Sequence, residues 1–465
     1  MTGSFRRALP LLMSMAVCGG ASAQPTAVVD RALAREILEQ LVAIPTTEAD
    51  GTVPAAQVLA ERLIAAGFPK DDVRILGPNP RAANLVARFR GRSPRAPAVL
   101  LMAHIDVVPA RREDWTMDPW TLIEREGWFY GRGTNDNKAG AAMLVANFVR
   151  LKREGWQPER DLIILLSADE ETTQRSIQWL LAEHRPLIEA GMAFNTDGGG
   201  VITKSGRPAY VDIQVSEKIY ADYQLDVTDA GGHSSLVRPD NPIYTLSAAL
   251  VRIGEHQFPL HVTGETRMFL ERSASTESGQ TATDMRAVAA TPADLAAAAR
   301  LSRSPFYNAR LRTTCVATKL EGGHANNALP QLARAVVNCR ILPGLPGADV
   351  ETVLRRLAGD KVKVSVLEPP VNSPPSPLAA PLLGQLERLA SKHWPGLPVI
   401  PTMIAGATDG MYTRNAGIPT YGASGLSEDP EDVRSHGRDE RVGVESFHAA
   451  TQFWFELAKT FGGTP

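Results

Sequence analysis

Cysteine is scarce, with 3 in 465 residues, and charge of either sign is nearly balanced, with 49 lysines and arginines against 51 aspartates and glutamates. A formal charge of -2 excludes a polybasic nucleic-acid binder. The lack of long charge runs and low-complexity tracts excludes a disordered scaffold. Beyond the N-terminal stretch no apolar run approaches the roughly 18 residues that span a bilayer. What remains is an ordinary globular composition, 44% hydrophobic, in a chain long enough at roughly 100–200 residues per domain for several real cores.

The N-terminus has its own grammar. Arg6 and Arg7 precede a short apolar run over 8–17, and Ala21-Ser22-Ala23 before Gln24 has the small-residue pattern of a cleavage site. Residues 1–23 therefore read as a secretory signal peptide, and the mature protein as exported, periplasmic or extracellular, with no membrane association after cleavage. A lipid anchor on Cys18 is the weaker reading, because the bulky Val17 precedes it. Cys315 and Cys339 remain in the mature chain. An exported pair could oxidise, and they fall in strand-like runs, 313–320 and 333–342, around a midpoint near Asn327. Alternation opposes pairing, since Cys339 shares a face with Ala335, Val337 and Ile341 while Cys315 is out of phase with Val316 and Leu320. Two unpaired thiols are the expectation.

Along the chain, Leu33, Ile37, Leu41 and Ile44 fall at helical spacing, and a second helix from about Pro54 is stopped by Gly67. Continuously apolar strands at 84–89, 98–103 and 162–166, with a helix over 138–151, predict an α/β layer whose mixed sheet is covered on both faces. From about 213 the pattern changes. Positions 219–228 alternate strictly, as an antiparallel strand buried on one face should. Helices at 242–254 and 349–358, the two cysteine-bearing runs and a strand at 362–367 complete an inserted α+β unit of βαββαβ, ferredoxin-like order. Residues 256–312 form a long insertion inside it. The proline-rich 368–377 reads as the linker back. The expected division is thus 24–212 and 369–465 for the α/β part and 213–368 for the inserted unit.

Candidates for chemistry follow apolar strands, where a covered sheet presents its functional groups. They are His104-Ile105-Asp106, the turn Gly131-Arg132-Gly133-Thr134-Asn135 delivering Asp136, then Asp169-Glu170-Glu171, Asp197 before three glycines, and Ser435-His436-Gly437 in a late polar loop. Singly each is bland, since Asp136 could cap a helix and Asp197 could mark a turn. Together they supply the imidazole and carboxylate ligands that suit zinc.

In this order, and with Gly231-Gly232-His233-Ser234 between Asp197 and His436, the motifs resemble the M20 family of co-catalytic zinc peptidases and aminoacylases, which includes glutamate carboxypeptidase, succinyl-diaminopimelate desuccinylase, aminoacylase-1 and carnosinase. The resemblance covers nearly the whole mature chain. It implies two zinc ions, with cobalt or manganese as substitutes, His104 and Asp197 binding one, Glu171 and His436 the other, and Asp136 bridging. It makes Glu170 the general base, Asp106 the residue that orients His104, and Asp136-Asn137 a cis peptide. It makes the inserted unit a lid and homodimer interface, from which His233, often of the neighbouring subunit, polarises the scissile carbonyl. Asn327, Arg340, Gly406 and Thr408 match substrate-binding positions. Two departures stand out: the insertion 256–312 is absent from compact lids, and Asn338 replaces the acid usual two residues before the lid arginine. The implied activity is cleavage of amide bonds in small peptides, as a carboxypeptidase or dipeptidase, or alternatively of N-acyl amino acids. The reading from another class is a metal-dependent peptide-binding protein that has lost catalysis.

Overall fold

A computed structural model describes residues 1–2, 26–93 and 95–463. Apart from its first two residues, the expected leader lies outside them. Among the described residues, a ten-stranded mixed sheet runs in the order Val73–Leu76, Asn84–Phe89, Leu162–Ser167, Val99–His104, Met192–Asn195, Thr420–Gly422, Arg207–Glu217, Gly200–Lys204 and Ser427–Glu428, with Val399–Ile404 paired parallel to Arg207–Glu217. Val99–His104 and Leu162–Ser167 are buried at every position because both sheet faces are covered, which is why their sequences are apolar without alternation. Helices Thr26–Val42, Lys138–Arg153 and Val444–Gly462 pack on one face, around Leu41, Leu144, Leu166 and Phe447. Ile177, Leu180, Ile188 and Ile418 cover the other. Truncating a side chain such as Leu166 to alanine removes roughly 2–5 kcal/mol.

Val99–His104 is parallel to both Leu162–Ser167 and Met192–Asn195. The three strands therefore end on one edge, which gathers His104, Asp169 to Glu171 and Asp197. The helix Val53–Ala65 stops where expected, with Gly67 at φ +95°. No helix among the described residues is long and apolar enough to cross a membrane.

The second sheet is four-stranded and antiparallel, in the order Thr314–Gly322, Leu332–Ile341, Ile219–Thr228 and Lys363–Val366. Helices Pro242–Glu255 and Gly347–Ala358 cover one face, burying Ala221, Tyr223, Leu225, Leu246, Val337 and Leu354. In order and in the segregation of its helices this is the βαββαβ unit read from the pattern. Arg207–Glu217 runs through position 212/213 as one strand of the large sheet, so the chain passes to the small sheet at Lys218.

The two thiols are a correction: Cys315 and Cys339 form a disulfide. They are register partners on adjacent strands, and the ladder shifts between Ala317 and Lys319. That extra residue reverses the alternation, so Leu320, opposite Ala335, is in phase with Cys315 after all. Simple period-two counting could not see the bulge.

The insertion 256–312 folds into helices Gly264–Ser273, Gly279–Ala289, Leu295–Leu301 and Pro305–Leu311. They bury Phe269, Leu270, Met285, Val288 and Leu301 against Ile202, Tyr210 and Ile400 of the large sheet. The insertion thus leaves the small unit in sequence and returns to the large one in space.

Candidate metal centre and active site

His104 closes its strand with Nε2 2.9 Å from Asp136 Oδ1 and 3.8 Å from Asp197 Oδ1. His436 lies on the other side, its Nε2 3.2 Å from Asp136 Oδ2 and 2.8 Å from Glu171 Oε2. Asp136 is therefore straddled, one imidazole to each oxygen. His104, Asp136 and Glu171, and likewise His104, Glu170 and Asp197, bring their ligand atoms within 4.8 Å of one another. Glu171 Oε1 is buried with no hydrogen-bond partner, which for a carboxylate is costly unless a cation takes it up. These donors fit a divalent metal: imidazole nitrogen and carboxylate oxygen at close mutual range.

The charge balance agrees. The hydrogen bonds to Asp136 and Glu171 push His436 up to about 10. Burial opposes protonation of His104, but the Asp197, Asp106 and Asp136 carboxylates raise it well above the ordinary imidazole range. Burial, then the neighbouring Asp197, hold the Glu170 carboxyl well above the usual carboxylate range. Burial does the same to Asp197. The cleft carries more negative charge than its own imidazoles neutralise.

Asp106 positions two groups at once. His104 Nδ1 lies 3.0 Å from the Asp106 carbonyl oxygen and 3.4 Å from its carboxylate, which fixes the ring with Nε2 toward Asp136. The same carboxylate accepts the backbone N–H groups of Glu170 and Glu171 at 3.1 and 3.0 Å. Glu170 Oε1 accepts from Gln174 Nε2 at 3.0 Å. The Asp136–Asn137 bond is cis, as expected. Behind it, Gly140 admits the helix start against Thr196, since a Cβ there would stand 2.1 Å from Thr196 Oγ1.

The residues expected on the small unit are not all gathered. His233 is exposed on the short strand Gly232–His233, its Nδ1 accepting from the Ser235 N–H, and Asn327 is exposed nearby. Arg340 is half-buried, its guanidinium 4.6 Å from the Tyr220 ring centroid. Burial lowers its pKa, while Tyr220 and the carboxylates of Asp222, Glu170 and Glu217 raise it. The acid missing at Asn338 is supplied across the sheet: Asp222, its register partner, accepts from Asn338 Nδ2 at 2.8 Å and from the Tyr220 hydroxyl at 2.6 Å. Gly406 is exposed, whereas the Thr408 hydroxyl is buried and donates to Glu217 Oε2 at 2.9 Å.

Two groups escaped the sequence reading. Glu440, fully buried, accepts from the N–H groups of Gly133, Asn135 and Asp136 and pairs with Arg132 at 2.6 Å. Its place follows from pairing of Arg441–Gly443 with Trp128–Tyr130, strands too short to carry a pattern. Asp409 is 3% exposed, and burial pushes its carboxyl up to about 7. Only its place in the glycine-rich 406–410 loop pointed to it.

The family model for peptidase family M20/M25/M40 matches residues 100–460. The chain is 30% identical to the N-fatty-acyl-amino acid synthase/hydrolase of Mus musculus over 92% of its own length and 88% of that protein's. It is 26% identical to a probable carboxypeptidase S-like protein of Dictyostelium discoideum over 81% of itself and 74% of that protein. Its fold resembles an M20 family metallo-carboxypeptidase from Sulfolobus solfataricus, with a TM-score of 0.69 at 18% identity over 92% of this chain and 99% of that one. It also resembles human carnosine dipeptidase 1, with a TM-score of 0.67 at 15% identity over 94% and 97% of the two chains. The chain belongs to the M20/M25/M40 peptidase family and is an enzyme that hydrolyses amide bonds.

Proposed function

We propose that this chain is an exported di-zinc hydrolase that cuts the amide bond next to a free carboxylate, in carboxypeptidase or dipeptidase fashion. The observation that carries the reading is the Asp136 carboxylate straddled by His104 and His436, with Glu170 and Asp197 grouped about His104. His104, Asp197 and Asp136 would hold one ion, and Glu171, His436 and Asp136 the other. Bound zinc supplies Lewis acidity and makes a water acidic enough to ionise near neutral pH. Glu170, assigned here no ligand role, takes the proton of the attacking water and delivers it to the leaving amine. Gln174 orients it by holding one carboxylate oxygen. Arg340 grips the substrate carboxylate, and Asn327 and the loop of Gly406 and Thr408 border the substrate. The intact base and ligand set argue against a binding protein without catalysis.

His233 is assigned to the oxyanion of the reaction, delivered from the neighbouring subunit of a homodimer. Its exposure supports this, as do the exposed Tyr244, Val251 and Leu320 on the helix and edge strand of the small unit, apolar side chains of the kind found where subunits associate.

A second reading, hydrolysis of N-acyl amino acids, draws support from the mouse relative. The two share the free carboxylate and differ in what lies across the scissile bond. The test is a panel of free-acid dipeptides and N-acetyl amino acids offered to zinc-loaded protein. Turnover of neither class overturns the proposal.

A further inference from the structure

The chain passes between the strands of the large sheet and those of the small one at two places, and one buried side chain touches both. On the outward passage Glu217 ends a strand of the large sheet and Ile219 begins one of the small sheet. On the return, the Leu367 N–H still donates to the Asp222 carbonyl of the small sheet and the Ser376 N–H donates to the Val215 carbonyl of the large one, with Ser373 between them. Arg414, on the short helix Gly410–Asn415 of the large unit, places Nη2 2.7 Å from Glu217 Oε1 and donates from the same nitrogen to Ser373 Oγ at 3.0 Å. All three residues are buried. Desolvation offsets much of the attraction in such a pair, so its geometry matters more than its energy: a buried charge that swung away would be left without a partner.

Glu217 also holds the loop proposed to border the substrate. Its Oε2 accepts from Thr408 Oγ1 at 2.9 Å and from Gln214 Nε2 at 2.7 Å. The adjacent residue holds the small unit instead. The buried Lys218 Nζ donates to the Arg312 carbonyl at 2.9 Å and to Thr314 Oγ1 at 3.1 Å, where the edge strand of the small sheet begins. Arg340 has two register partners, Tyr220, three residues past Glu217, and Thr314. Successive residues thus hold the large unit and the two strands that flank Arg340.

We propose that the Arg414–Glu217 pair is a positioning device: it fixes where Arg340 stands relative to the metal centre and the 406–410 loop, and thereby sets recognition of the substrate's free carboxylate without touching the substrate. This rests on the role given to Arg340 above.

The test compares one free-acid dipeptide with its carboxamide, using zinc-loaded full-length protein. Glu217→Gln and Arg414→Met are expected to raise KM for the free acid about ten- to a hundredfold, the scale for a misplaced binding group, with zinc content intact, and to shrink the kcat/KM ratio of free acid to amide. Arg414→Lys, whose single ammonium can still face both Glu217 and Ser373, should recover part of that ratio. A purely structural role predicts otherwise: fewer folded molecules lower the apparent kcat and leave KM and the ratio where they are in the unmodified enzyme. Ser373→Ala removes one hydroxyl and keeps the ion pair, so it carries the test where a charge variant fails to fold, and a smaller drop in the same ratio is expected. Folded, zinc-loaded variants with unmodified KM and ratio overturn the inference while leaving the role of Arg340 standing. Equal turnover of free acid and amide by the unmodified enzyme overturns the role of Arg340 itself, and the inference with it.

Discussion

Glu440 holds Asp136 by the backbone: its Oε1 accepts the Asp136 N–H at 2.9 Å while Oε2 pairs with Arg132 at 2.6 Å. The backbone of Asp136, the residue proposed to bridge the two ions, is thus held by a buried carboxylate. Glu440→Ala is expected to lower zinc affinity about 10- to 100-fold. It should also cost roughly 3–5 kcal/mol of stability, because Arg132 is left buried without its partner. Competition with a chromogenic chelator, together with denaturant unfolding of the metal-free protein, separates the two effects. Unchanged zinc affinity would remove Glu440 from the support of the centre.

Neighbouring glutamates should fail differently. Glu170→Gln is expected to lower kcat by two to four orders of magnitude or more with metal content intact, since the base is assigned no ligand role. Glu171→Gln, which alters the group facing His436, should lose metal. Metal analysis alongside kinetics checks both, and zinc loss in the Glu170 variant would reverse the roles.

Arg340 offers a planar pair of donors that lysine cannot reproduce. Amidating the substrate's free carboxylate is expected to cost on the order of 2–3 kcal/mol in kcat/KM. Arg340→Lys should discriminate nearly as poorly as Arg340→Ala. Equal turnover of free-acid and amidated substrates by the unmodified enzyme would refute the assignment.

Asp212 gives a stability signature away from the centre. It is buried, and burial pushes its carboxyl up to about 6 even though Thr402 donates to it. The unfolded chain ionises first, so the native state binds more protons between about pH 4 and 6 and stability falls as pH rises through that window. Asp212→Asn keeps an acceptor for Thr402 and removes the titration. The stability difference between the two proteins should therefore change by roughly 2–3 kcal/mol in the variant's favour between pH 4 and pH 8. Denaturant melts at the two pH values measure it, and a constant difference would contradict the assignment.

What the sequence made legible depended on the length of each signal. The buried strands Val99–His104 and Leu162–Ser167 and the alternating Ile219–Thr228 stood out because solvent is excluded from both faces of the first two and one face of the third. His104, Asp136, Glu171 and His436 could be gathered because strand ends and a family order placed them together. The Cys315–Cys339 bond was missed because one bulge residue reversed the phase. Glu440 was missed because a three-residue strand positions it, and the docking of the insertion on the large sheet because amphipathic helices do not state which surface they cover.

The most direct test of the central claim is zinc stoichiometry measured with activity. Protein dialysed against a chelator should hydrolyse no dipeptide or N-acyl amino acid, and activity should return along a titration that saturates at about two zinc equivalents per chain. Full activity in metal-free protein, or saturation at a single equivalent, would contradict a shared two-ion centre on Asp136.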